Sequence, residues 1–141
     1  MLGRKDYTKD ELANATKTVN DTVAAYKKLA KAVEASGDAK AAAALEAFEP
    51  VLFRDLTLTL DRLFVHRIRK VAGNDNNPLN EVELITESIL AGAPFTTNNV
   101  LKYVPEESVT GLKPGDKIDL TAEEFERLAK AFLADIKTKF V

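Results

Sequence analysis

The chain has no cysteine, one histidine and no long apolar run. The first absence removes disulfides, thiolate-bound zinc and thiol nucleophiles together, and it suits a reducing cytoplasm. The second leaves no spaced pair of imidazoles, so neither a metal site nor a cofactor is expected. No stretch approaches the roughly 18 to 20 apolar residues that a membrane span needs, and the opening MLGRKDYTKDELANATK lacks the apolar segment of a secretory signal. A cytoplasmic protein without membrane association is expected, and the two sequons at Asn14 and Asn20 should then carry no glycan.

Other chemistries are excluded by missing motifs. No glycine-rich loop follows a strand to cradle phosphate, and no nucleophile elbow presents a serine. Asn74-Asp75-Asn76-Asn77 lacks the spaced ligands, central glycine and terminal glutamate of a calcium loop. Neither sign of charge dominates: 20 basic and 22 acidic residues give a net charge of −2. That balance gives no reason to hold nucleic acid, and aromatics do not interleave with the basic run as in a stacking platform.

What is present is helical patterning over most of the 141 residues. A chain of this length can bury roughly 68% of its unfolded surface, so one domain spanning 1–141 is expected. Thr8 and Glu11 form a capping box ahead of an apolar stripe through Leu12, Val19, Val23, Tyr26 and Val33, which predicts a helix over 8–35. Ser36-Gly37-Asp38 should close it and supply Asp38 as the next N-cap, before an alanine-rich antiparallel neighbour from Ala39 to Phe48. Pro50 is expected to kink or restart the chain, giving a long bent helix. Asn77-Pro78 should open another helix over 78–91. Thr121 with Glu124 should open the last one, whose buried face is Phe125, Leu128, Phe132 and Ile136 and whose outer face carries Glu123/Arg127 and Glu126/Lys130 pairs. Between them, 93–120 loses the helical period, and two short strands near 100–104 and 117–120 are expected, with a type II turn at Lys113-Pro114-Gly115-Asp116. The fold class is therefore mainly α, an antiparallel helical bundle with a small irregular or β-hairpin segment near 93–120.

The stretch Val51 to Val71 concentrates the chemistry. Residues 54–70 carry five Lys/Arg against two Asp, whereas 71–101 carry four acids and no base. Read as one helix at about 100° per residue, it gathers Phe53, Leu56, Leu60 and Phe64 on one arc and Asp55, Arg62, His66 and Arg69 on the opposite one. That polar stripe is the candidate site: Arg62, His66 and Arg69 would suit a small anionic ligand, with Asp55 orienting an arginine. Arg67 falls inside the apolar arc, where a bare charge is costly, and an ion pair with Glu81, Glu83 or Glu87 on the following helix is expected. Val51, Leu58 and Val65 form a second apolar stripe, so this helix is either central in the bundle or meets a partner subunit.

Three segments carry a resemblance: Leu60-Asp61-Arg62-Leu63-Phe64-Val65-His66-Arg67, Asn77-Pro78-Leu79-Asn80-Glu81-Val82-Glu83 and Val104-Pro105-Glu106-Glu107-Ser108-Val109. They resemble a group of small actinobacterial proteins with no established activity. The likeness spans most of the chain and implies a self-contained intracellular domain; it transfers no functional residue. Two functions remain open from the residues: a non-enzymatic domain that associates with itself, or a binder of, or enzyme acting on, a small anionic metabolite.

Overall fold

The computed structural model describes residues 3–141, which form five α-helices and a short 3-10 turn. Helix α1 (Lys9–Ser36) opens on the expected capping box: Glu11 N–H donates to Thr8 Oγ1 at 3.0 Å while Thr8 N–H donates to the Glu11 carboxylate at 2.7 Å. It closes at Gly37, whose φ of +66° is the left-handed geometry that glycine adopts without strain. Asp38 then caps α2 (Ala39–Leu63), accepting from the amides of Lys40 and Ala41. No restart occurs at Pro50, which lies inside α2. The proline removes one amide donor from the ladder, but the carbonyl left over belongs to exposed Glu46, where water can satisfy it.

The far end of α2 departs from expectation. The helix stops at Leu63, eight residues before Val71, and a separate single turn, α3 (Arg69–Ala72), follows. Asn77 and Pro78 open α4 (Pro78–Leu90) as expected, with Asn77 Oδ1 accepting from Asn80 N–H at 2.9 Å. Helix α5 (Ala122–Phe140) starts on the second capping box, between Thr121 and Glu124. It packs against α1, α2, α3 and α4.

Residues 93–120 contain the 3-10 turn Pro105–Glu107 but no strand. The anticipated hairpin does not form: its first arm bonds elsewhere, and the turn before its second arm is tied to Phe95. Lys102 N–H donates to the Asn74 carbonyl and Val104 N–H to Asn76 Oδ1, while Phe95 exchanges backbone bonds with Gly115 and Asp116. The type II turn is present, with Asp116 N–H on the Lys113 carbonyl and Gly115 at φ +93°. Leu101, Leu112, Ile118 and Leu120 point their side chains into the core, so the segment serves as a lid on the bundle.

Aromatic rings form the centre: Phe53 lies 5.4 Å from Phe125, and Phe64 5.9 Å from Phe132, centroid to centroid. The most enclosed element is α4 rather than the charged helix. Leu79, Val82, Leu84 and Ile85 are fully buried, and so are the polar Asn80, Glu81 and Ser88 between them. Asn80, Glu81 and Ser88 are each hydrogen-bonded, as burial requires, whereas the hydroxyl of Thr86, also buried on α4, has no partner among the described residues. Glu81 accepts from the amides of Val109 and Thr110 and from the Thr110 hydroxyl, at 2.9, 2.8 and 2.6 Å, which pins the lid onto α4.

Candidate functional site

The junction between α2 and α3 decides the fate of the predicted polar stripe. Nothing local ends α2, since Phe64-Val65-His66 holds neither glycine nor proline. Side chains from outside the helix capture the carbonyls at and just beyond its end instead. The buried Tyr7 hydroxyl lies 2.9 Å from the Phe64 carbonyl and 2.8 Å from that of Val65, sharing its one proton between them. Burial pushes the Tyr7 phenol above its ordinary pKa, an effect partly opposed by the nearby Arg67 and Arg4 guanidinium groups. Tyr7 also binds α5 through its own amide, which donates to the Phe140 carbonyl.

Arg67 completes the cap. Its guanidinium donates to the Phe64 and Asp61 carbonyls at 3.0 and 3.3 Å and forms an ion pair with the Asp61 carboxylate at 2.8 Å. It also lies 5.2 Å from the centre of the Phe132 ring. The pairing with Glu81, Glu83 or Glu87 expected from the sequence is therefore corrected: Arg67 turns back onto its own helix end, where cations interact favourably with exposed carbonyls. Glu81 holds the lid, Glu83 pairs with Arg69 at 2.5 Å, and Glu87 accepts from Asn98.

The stripe of Asp55, Arg62, His66 and Arg69 is not one helical face. Asp55 and Arg62 are exposed on α2. His66 lies beyond the helix with φ +67°, its side chain exposed and its carbonyl bound by the Arg4 amide at 2.6 Å. Arg69 is committed to structure: besides Glu83 it donates to Asn80 Oδ1 at 2.7 Å and to the Gly73 carbonyl at 3.0 Å. Of the four, the Asp55 carboxylate pairs with its neighbour Arg54, at 3.3 Å, and Arg62 has no ion pair among the described residues.

Arg4 and Tyr7, which carry the junction, escaped the sequence reading. One signal was available for Tyr7. An apolar residue just before an N-cap commonly packs against the fourth helical residue, here Leu12, so its burial was readable. Arg4 is held by a two-point contact with Glu11 at 2.7 and 3.0 Å and lies 4.3 Å from the Tyr7 ring centre.

With the junction committed to structure, the uncommitted surface lies on the α1–α2 hairpin. Residues 27–51 contain no buried residue, yet Leu29, Phe48 and Val51 are 47%, 45% and 41% exposed. Lys27 pairs with Glu126, and Glu49 accepts from the Ala122 amide, so both side chains mark the flank that faces α5. Leu29 and Val51 each stand two residues further on, about 160° around their helices, and so share the flank turned away from α5. Of the second apolar stripe, Val51 alone is exposed; Leu58 is half-buried, and Val65 lies outside the helix. No helix among the described residues is long and apolar enough to cross a membrane. In comparisons with family models, curated proteins and solved structures, the chain matched none.

Proposed function

We propose that this protein is a non-enzymatic domain that associates with a second copy of itself through the outer flank of the α1–α2 hairpin. The observation that carries the reading is the exposed apolar trio Leu29, Phe48 and Val51 on a segment without a buried residue. Around it stand small residues, with Ala25 and Ala32 on α1 and Ala44 and Ala47 on α2, while Lys40 and Asp55 lie further along the same side of α2. Small residues let two helices approach closely, and Lys40 and Asp55, being of opposite sign, leave the α2 side without a net charge to repel a second copy. Two hairpins joined this way would bury their apolar sides as a four-helix bundle does.

Multi-angle light scattering over a hundredfold range of concentration tests the proposal. A dimer at the upper end is expected, and Phe48→Asp combined with Val51→Asp should return a monomer with an unchanged circular dichroism spectrum. A wild-type chain that stays monomeric throughout sinks the reading. The anion-binding alternative loses Arg69 to Glu83 and Asn80, and keeps only Arg62 and His66 as free surface groups.

A further inference from the structure

A second surface lies on the other side of the molecule, between α1 and α5. Two adjoining hollows of about 830 and 470 Å³ share Thr16 and Asn20, forming one continuous trough. It follows α1 from Lys9 to Val23, a rise of about 21 Å at 1.5 Å per residue. Its floor is apolar, with Leu12, Val19, Val23, Ala129 and Leu133. Its rim is basic: Lys9 and Lys137 stand at one end, Arg127 and Lys130 at the other, all four exposed.

The charge on that rim is uncompensated. None of the four cations has an ion pair among the described residues, whereas both side-chain carboxylates of the trough are taken, Asp21 by Lys17 and Glu126 by Lys27. The second pairing matters most. Glu126 precedes Lys130 by one helical turn and was expected to neutralise it, but it reaches across to α1 instead. A chain with a net charge of −2 thus holds a local cationic border around an apolar floor.

We propose that this trough docks an amphipathic helix of another protein, with apolar side chains on its inner face and Asp or Glu along both flanks. Length, floor and rim each contribute to the choice. About 21 Å accommodates four helical turns, and apolar anchors one turn apart match a floor built from two helices. The unpaired lysines and arginine at both ends select acidic flanks and repel basic ones, which sets both specificity and encounter rate. A small anion alone would use the rim and leave the floor idle. The trough lies on a different face from the hairpin flank, so its occupancy is independent of self-association.

The test is selection of ~16-residue helical peptides from a display library against the full chain, followed by titration of the selected peptides by fluorescence anisotropy. Enrichment of Asp and Glu beside Leu or Phe at one-turn spacing is expected, with affinities on the order of 10 μM that weaken as salt rises. Lys130→Glu combined with Lys137→Glu should lower affinity about tenfold or more while the circular dichroism spectrum is unchanged; both residues are exposed, so folding is spared. Amide shifts on binding should fall on α1 and α5. Peptides without acidic bias, affinities indifferent to the double variant, shifts on the hairpin flank, or no saturable binding below about 1 mM would each overturn the proposal.

Discussion

The two halves of α2 are one continuous helix with two different reasons for being helical. From Ala39 to Val51 no side chain is buried, and six alanines supply the propensity. From Phe53 to Leu60 the helix is anchored by buried Phe53, Leu56, Thr57 and Leu60, in contact with α4 and α5. Local preference, the neighbouring α1 and a single bond from Glu49 to the start of α5 hold the first half, whereas tertiary burial holds the second. Isolated helical segments are marginal in water. The hairpin should therefore be the region that opens first, and the region with most to gain from a partner.

The sharpest way to break that comparison is to make the same change in both halves. Phe53→Ala removes a fully buried ring that meets Tyr26 at 5.0 Å and Phe125 at 5.4 Å, and should cost about 3–5 kcal/mol in urea unfolding. Phe48→Ala, five residues earlier and 45% exposed, should cost less than about 1 kcal/mol at protein concentrations low enough to keep the chain monomeric. Equal costs would mean that the hairpin belongs to the core after all.

Next in size is the end of the helix. Arg67→Ala removes a nearly buried guanidinium, strands the partly buried Asp61 carboxylate and leaves the Asp61 carbonyl with the Phe64 amide alone, for an expected loss of about 3 kcal/mol. Arg62→Ala, one turn away but exposed, should stay within about 0.5 kcal/mol. Comparable losses from both would contradict the capping role.

Which features were legible in the sequence follows the same division between local and distant causes. The starts of α1, α2, α4 and α5 were readable because Thr8, Asp38, Asn77 and Thr121 act within three residues of themselves. The end of α2 was not, because its stop is made by Tyr7, some fifty-seven residues earlier in the chain, and by Arg67 folding back. Past Leu63 the helical angles held only as far as Phe64, which is buried as its arc required; His66 and Arg69 left the predicted stripe, while Asp55 and Arg62 remained on α2. The missing hairpin has the same origin: the 100–104 arm gave its amides to Asn74 and Asn76, and Phe95 took the backbone of Gly115 and Asp116, just ahead of the 117–120 arm. The α1–α5 trough was hidden because Glu126 chose a partner on another helix over its own i+4 neighbour.

A smaller effect, of opposite sign, tests the junction from the backbone side. His66 is the one non-glycine residue with positive φ among the described residues, and its exposed side chain forms no hydrogen bond that would compensate. A left-handed conformation costs a side-chain-bearing residue roughly 1–2 kcal/mol. Glycine avoids that cost but adds disorder to the unfolded chain, so His66→Gly should stabilise the protein by about 0.5–1 kcal/mol. A lowered midpoint in thermal or urea unfolding would show that the imidazole has a structural contact worth more than the strain.

The smallest effect concerns acid. Arg4 holds the Glu11 carboxyl down at about 2, from an ordinary 4.5, with further help from the Thr8 amide. A carboxyl with a depressed folded pKa makes its contribution fully above the unfolded value and loses it as pH falls through the folded one. The unfolded chain therefore takes up a proton at Glu11 between pH 4.5 and 2 that the folded chain refuses, and stability should fall with acid across that window. Glu11→Gln isolates this component, because glutamine can still serve in the capping box while the charge facing Arg4 is gone. The variant should show a shallower loss of stability than wild type between pH 4.5 and 2 and the same pH dependence above it. The pair is partly open to solvent, so the difference should be small and should shrink further in high salt. Identical slopes for the two proteins would mean that Arg4 is held at the α2 junction by its backbone bonds to His66 and Ile68 alone.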